Sequence, residues 1–296
     1  MDVTSVRDVT RESKPSRVGQ GDNPWRQRPV VLSRVGHETA DVATYRFVHA
    51  GGEPAPFQGR PGQFNMLYVP GVGEAAISIS GDTTDQSQAV HTIRHVGNVT
   101  GSIAQLDVGD SIGLRGPFGS GWPIDPCVGD DIILVAGGIG LAPLRPVVYE
   151  LIRRRNAFGR ITVLIGSRTP QDLLYPSEYA SWSQADINVE ATVDRAESDW
   201  AGDIGVVTLL LDRLELNRPL ETTLMTCGPE VMMAYAIQAA LQRGLSRSKL
   251  WMSMERHMNC AIGNCGHCQY GPHFVCTQGP VMRYDRVETL LKVDAL

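Results

Sequence analysis

The sequence predicts a small antiparallel β-barrel, then a doubly wound α/β domain with a parallel sheet, then a short cysteine-bearing module. Three observations predict this order. Over residues 24–126, short runs rich in Val, Ile, Phe and Tyr are separated by clusters of Gly, Pro and Asp, the spacing of a small barrel. From Cys127 the pattern changes, and apolar strands alternate with helical stretches as in a parallel sheet covered on both faces. Near the C-terminus, four of the six cysteines fall between Cys260 and Cys276.

The barrel strands are read from "PVVLSRV", "VATYRFVH", "GQFNMLYV", "AAISIS", "AVHTIRHV" and "DSIGLRG", with one or two helical turns at "VTGSIAQL". The second domain, residues 127–248, opens with "DDIILVAGG", a continuous apolar run of buried-strand type. Leu144, Val147, Val148, Leu151 and Ile152 then follow the i, i+3, i+4, i+7, i+8 face of a helix. Strands at "RITVLIGS", "INVEATV" and "TTLMTC" alternate with helices at "LLYPSEYASWSQA", "GVVTLLLDRL" and "EVMMAYAIQAALQRG". A short strand leads into the last module, residues 249–296. Residues 1–23 are polar and aperiodic and read as a disordered arm.

A length of 296 residues accommodates two domains and a small appendage. Hydrophobic content of 42% and charged content of 20% are those of an ordinary globular protein. The net charge of −5 leaves no basic field for nucleic acid. The N-terminus has no signal-peptide core, and "IILVAGGIGLAPL" is too short and glycine-broken for the roughly 18 apolar residues of a membrane span. A cytoplasmic location is therefore expected, where free thiols persist.

Cys260, Cys265, Cys268 and Cys276 are spaced C-x4-C-x2-C-x7-C. The first three carry the plant-type ferredoxin spacing, in which four thiolates hold a 2Fe–2S cluster. Gly263, Gly266 and Gly271 suit a loop that must turn tightly and aim N–H groups at sulfur. A structural zinc site is the rival reading, although zinc more often uses two separated CxxC pairs; a disulfide is the third. His257 and His267 lie beside the cysteines, but four thiolates already complete the set.

In "AGGIGLAP", Gly137, Gly138, Ile139 and Gly140 join a strand to a helix whose first turn holds Pro143. Glycines admit a phosphate close to the backbone, and the helix start supplies N–H groups. The spacing is not GxGxxG, and a tight turn without a ligand is the plainer reading. Cys227, Gly228 and Pro229 follow another strand, at the carboxyl end where ligands bind in open α/β sheets; Cys227 is otherwise a small buried hydrophobe. Ser167 and Arg168 end a third strand. Arg168 favours NADP over NAD if it grips a 2′-phosphate, and is otherwise a solvated arginine. In the barrel, Gly97, Asn98, Val99 and Thr100 open a helix and suit a second pyrophosphate. There is no HExxH, Walker loop or Ser/His/Asp order, so hydrolysis and phosphoryl transfer have no candidate residues.

A barrel with "SIS" and "GNVT", then "GGIGLAP", then "CGPEVMM", resembles the ferredoxin–NADP reductase superfamily. Within it, "ERHMNCAIGNCGHCQYGPHFVCTQGPVM" most resembles the gamma subunits of soluble nickel–iron hydrogenases, including sulfhydrogenases. The resemblance covers roughly residues 25–290. Electron-transfer subunits of dihydroorotate dehydrogenase and anaerobic sulfite reductase are close relatives of that group; the dihydroorotate ones generally have a longer gap before the last cysteine. The resemblance implies FAD, NADP or NAD, and a 2Fe–2S cluster, with electrons passing between NAD(P)H and iron–sulfur-bearing hydrogenase subunits. It implies flavin contacts at Ile77, Ser78, Ile79, Ser80 and 97–100, and puts Cys227 near the nicotinamide. One departure stands out. The superfamily's RxYS pattern has Ala75 and Ile77 where arginine and tyrosine belong, so backbone amides and Arg94 are expected to meet the FAD pyrophosphate. A stand-alone reductase and a zinc-bearing interaction module are the rival readings of the whole chain.

Overall fold

The computed structural model describes residues 23–51, 56–197 and 199–293; the expected N-terminal arm, Asn23 apart, lies outside them. The first sheet is built from β1 (Arg28–His37), β2 (Val42–His49), β3 (Phe64–Val69), β4 (Gly73–Ser78), β5 (Ala89–Arg94) and β6 (Ser111–Phe118), with α1 (Asn98–Ile103) between the last two. Its order is β4-β3-β6-β1-β2-β5, antiparallel throughout. Beyond β4, the Ser80 N–H donates to Val90 O at 3.0 Å, so the first strand of the sheet curls round to meet the last. Alternate residues fill the interior, as the pleat requires: Val30 and Leu32, Ala43, Tyr45 and Phe47, Ile112 and Leu114. Ile103 of α1 joins the same core.

The second sheet and its helices follow in alternation: β7 (Asp131–Gly137), α2 (Leu141–Arg153), β8 (Ile161–Ser167), α3 (Pro176–Gln184), β9 (Asn188–Val193), β10 (Asp203–Ile204), α4 (Val207–Arg213), β11 (Thr222–Cys227), α5 (Glu230–Gln242) and β12 (Leu250–Ser253). The C-terminal module comprises β13 (Gln269–Tyr270), β14 (His273–Phe274), α6 (Val275–Gln278), β15 (Val281–Arg283) and α7 (Tyr284–Val287). The sheet order is β10-β9-β8-β7-β11-β12-β15, parallel except for β15. β7 is buried on both faces, which explains its unbroken apolar run. Ile132, Leu134 and Ala136 pack with α2 and α3, and Ile133 and Val135 pack with α4 and α5.

β15 runs back antiparallel beside β12, pairing Trp251 with Arg283. The cysteine segment is thus an excursion between two neighbouring strands of the large sheet.

Barrel and sheet meet through buried polar groups. Tyr175 donates to Thr92 Oγ1 at 2.6 Å; Thr92 also contacts Ser80 Oγ and Thr44 Oγ1, each at 2.9 Å, and Thr44 donates to Glu38 at 2.7 Å. A carboxylate only accepts, so the directions are determined. Thr44 donates to Glu38 and accepts from Thr92, which accepts from both Tyr175 and Ser80. Arg145 lies 4.1 Å from the Tyr175 ring, donates to the Ser80 carbonyl at 3.3 Å and pairs with Glu178.

His91 on β5 is fully buried. Its Nδ1 lies 2.9 Å from Ser78 O, and its Nε2 lies 3.1 Å from Asn65 Nδ2. The carbonyl requires a proton on Nδ1, so Nε2 accepts from the Asn65 amide and the ring is neutral. Burial depresses its pKa from 6.5 to about 4. The unfolded chain therefore binds this proton more readily than the folded one. Stability from this site is complete above pH 6.5 and is lost as pH falls toward 4, by up to about 3 kcal/mol. Thermal unfolding followed from pH 7 to pH 4.5 is expected to show this loss, and His91→Gln is expected to flatten the slope.

Candidate functional site

The carboxyl ends of β7, β8 and β11 lie side by side and carry three of the sequence-predicted motifs. Gly137 ends β7, and Gly138 (φ +52) starts the tight turn Gly138–Gly140 into α2, with Pro143 buried in the first helical turn. A Cβ on Gly140 would sit 2.1 Å from Cys227 O, and one on Gly137 would sit 2.4 Å from Met232 Sδ and 3.0 Å from Pro229 Cδ. A Cβ on Gly228, at φ +153, would sit 3.0 Å from the Gly137 backbone. The glycine turn and the segment 227–229 are therefore one packed unit, and only glycine fits at these contacts. Ile139 is packed against the α2 side of the sheet.

The barrel reaches this unit through Arg94, whose Nη2 lies 3.5 Å from the Cβ position of Gly138. Arg94 Nε is 3.5 Å from Asp41 Oδ2, within ion-pair range but outside hydrogen-bond geometry, and this buried nitrogen has no hydrogen-bond partner. A guanidinium whose Nη2 lies over a glycine turn fits a phosphate group there.

Cys227 is half-buried, but burial pushes its thiol up to about 12, so the sulfur is protonated at neutral pH. It packs as a small neutral group. The Ser167 hydroxyl is already donated to Thr169 O at 2.7 Å. Arg168 is exposed and paired with Asp172 at 3.4 Å. Beside it, a cavity of about 250 Å³ is lined by Thr169, Gln171, Arg195, Glu197 and Trp200, among others. Arg195 and Trp200 escaped sequence reasoning. Arg195 follows the carboxyl end of β9, next in the sheet, and its N–H donates to Arg168 O at 3.1 Å.

In the barrel, Ile77 and Ser78 end β4, and His91 holds the Ser78 carbonyl. The Ile79 N–H donates to Gln63 O at 2.9 Å. Ser80 is fully buried, with its hydroxyl in the Thr92 network and its carbonyl on Arg145. At the start of α1, Gly97 and Asn98 are exposed and Val99 is half-buried, while Thr100 Oγ1 accepts the N–H groups of Val96 and Gly97 at 3.2 and 3.0 Å.

The four cysteines of the C-terminal loop are free, Cys265 exposed and the others buried. The N–H groups of Ile262, Asn264 and Cys265 point at Cys260 Sγ at 3.5, 3.2 and 3.4 Å. The Gly263 N–H points at Cys276 Sγ at 3.1 Å, and the Cys276 N–H at Cys268 Sγ at 3.4 Å. Positive φ at Ala261 (63) and Gly263 (76) turns these N–H groups inward. N–H donors converging on sulfur stabilise thiolates, and the His267 N–H helps draw Cys265 down to about 7. Burial drives Cys276 the other way, to about 12. The donor set fits an iron–sulfur cluster, whose sulfurs accept such bonds. Among the described residues no three candidate ligands converge on one point for a single ion; two thiolates on each of two irons do not require it. His257 and His267 are both exposed.

Two family descriptions match this layout. An oxidoreductase NAD-binding domain covers residues 134–238, including the glycine turn and Cys227. The iron–sulfur cluster binding domain of dihydroorotate dehydrogenase B covers 255–288, including all four cysteines. Sulfhydrogenase 1 subunit gamma of Pyrococcus furiosus is 32% identical over 89% of this chain and 92% of its own. A probable dihydroorotate dehydrogenase B (NAD(+)) electron transfer subunit of Methanocella arvoryzae is 37% identical over 90% of this chain and 93% of its own. The chain belongs to this family of electron-transfer subunits. It is an NAD(P)H-linked oxidoreductase subunit whose cofactors are FAD and an iron–sulfur cluster. The fold is that of a solved NADH-dependent reduced ferredoxin-NADP oxidoreductase, with a TM-score of 0.70 and 23% identity over 88% of this chain and 92% of that one. Among the described residues no helix is long and apolar enough to cross a membrane.

A methyl group at position 140 would overlap the Cys227 carbonyl. Gly140→Ala is expected to raise the KM for NAD(P)H about tenfold or more, because the turn must shift, while iron content stays unchanged. Dye-linked steady-state kinetics with iron analysis on the same sample checks this.

Proposed function

We propose that the chain is the NAD(P)H-side subunit of a cytoplasmic nickel–iron hydrogenase, exchanging electrons with a partner that carries further iron–sulfur clusters. The observation that carries this reading is the joining of three sites on one frame: a glycine turn packed on Cys227, a barrel whose Arg94 reaches that turn, and a thiolate loop returning into the same sheet. Hydrogenase and dihydroorotate relatives are about equally similar, so the choice of partner rests on the seven residues between Cys268 and Cys276. The second reading, the electron-transfer subunit of a dihydroorotate dehydrogenase, is favoured by the match over 255–288. Identifying the proteins that co-purify with the chain separates the two: a nickel–iron subunit supports the first and a flavin dehydrogenase the second.

The barrel, to residue 126, is the flavin domain, 127–248 is the nucleotide domain, and 249–296 is the cluster module. Residues 137–140 with Pro143 receive the nicotinamide nucleotide's pyrophosphate, and 227–229 lie by its nicotinamide. Ser167 and Arg168 receive the adenosine end, and Arg195 adds a second cation there. Ile77, Ser78, Ile79, Ser80 and 97–100 border the flavin; the Ser80 hydroxyl stays committed to the Thr92 network. Arg94 supplies the charge that the missing arginine of the RxYS pattern would have given. The bound groups supply hydride acceptance at FAD and one-electron transfer at the 2Fe–2S cluster. This chain's residues orient, exclude water and balance charge, which hydride transfer needs more than an acid or base.

Cys268→Ser is expected to lose cluster absorption and iron while NAD(P)H still reduces the flavin; intact cluster absorption would contradict the ligand set. Arg168→Ala is expected to raise the KM for NADPH more than that for NADH, read from paired saturation curves, and equal effects would remove the NADP preference.

A further inference from the structure

Arg115 on β6 is 3% exposed, and nearly every donor it has is in use. Its Nε and Nη2 grip the Glu74 carboxylate of β4 at 2.8 and 2.7 Å. Nη1 donates to the Cys260 carbonyl and Nη2 to the Asn259 carbonyl, both at 2.7 Å. Phe118 and Trp25 flank the guanidinium at 5.4 and 5.5 Å. One buried cation thus joins the strand that ends at Ser78 to the first cluster cysteine, which lies 145 positions after Arg115 in the chain. Next to it, a cavity of about 310 Å³ separates Tyr68 and Glu74 of the barrel from Met258 and Asn259 of the loop. On that side Arg115 bridges the seam across which packing is incomplete.

The bond to the Cys260 carbonyl also bears on the loop's shape. Ala261, the next residue, has φ 63, a left-handed conformation that a side chain disfavours. That turn is what aims the following N–H groups at Cys260 Sγ. Holding the Cys260 carbonyl outward keeps the peptide in this orientation. Reduction adds negative charge at the cluster, and a cation held at a ligand's own carbonyl stabilises the reduced form, since cluster potentials follow local charge and hydrogen bonding.

We propose that Arg115 is a positioning residue that fixes the cluster loop to the flavin barrel and raises the cluster's reduction potential, with Glu74 tempering that effect. The proposal rests on the four cysteines holding the cluster. The test uses the full chain purified anaerobically, with the cluster titrated by EPR and the flavin followed by absorbance in the same sample as an internal reference. Arg115→Met is expected to move the cluster potential negative, Arg115→Lys to move it less far in the same direction, and Glu74→Gln to move it positive, with the flavin potential unchanged. A purely structural role would not give opposite signs for the two halves of one ion pair. If Arg115→Met fails to assemble, Arg115→Lys and Glu74→Gln decide. Unshifted cluster potentials in those two variants at wild-type iron content overturn the proposal, as do equal shifts of flavin and cluster. Absence of iron from the wild-type chain overturns the cluster assignment itself and the proposal with it.

Discussion

The hydroxyl of Thr92 is where barrel and sheet are locked together. It accepts hydrogen bonds from Tyr175 of the sheet domain and Ser80 of the barrel and donates to Thr44, whose own hydroxyl donates to Glu38. Electron transfer between groups held by different parts of a chain depends on their separation, so the parts must not slide. Apolar packing alone resists sliding poorly because it lacks direction. A buried hydroxyl with three partners does not tolerate it, since any shift leaves a donor unpaired at a penalty of about 1–3 kcal/mol. Arg145 reinforces the same junction by stacking on Tyr175 and bonding the Ser80 carbonyl.

The same logic recurs on the far side of the barrel, where the cluster loop is anchored at both ends. It leaves β12 and re-enters the sheet as β15, so its two ends are held side by side in the ladder, Ser253 opposite Val281. Ser120 bonds the Gly279 and Val281 backbones, and Arg115 holds Asn259 and Cys260. The thiolate loop itself therefore needs little intrinsic rigidity. Its glycines and its left-handed Ala261 take conformations set by the frame around them.

Much of this frame was legible in the sequence. Six barrel strands and the alternation after Cys127 follow from apolar period and turn residues, which are local signals. The glycine turn and the cysteine spacing are local too. Arg115, Arg145, Tyr175 and His91 were not legible as structural residues, because their partners lie 13 to 145 positions away and no local pattern reports such a contact. β15 is three residues long, too short for any periodicity. Ser80 shows the converse: the resemblance implies a flavin contact there, yet folding commits its hydroxyl to the barrel–sheet junction.

At the glycine turn and at the barrel–sheet junction, the chain places groups that do not titrate near neutrality. His91, behind the Ser78 carbonyl, stays neutral because burial holds it at about 4. Cys227 keeps its proton because burial lifts it to about 12, and burial likewise lifts Tyr175 to about 12. Desolvation acts on all three, lowering the base and raising the acids, so each is pushed away from physiological pH toward its uncharged form. An enzyme relying on general acid–base chemistry tunes its groups the opposite way, toward the working pH. Hydride transfer needs alignment of donor and acceptor more than an acid or base, so uncharged groups of this kind are compatible with it.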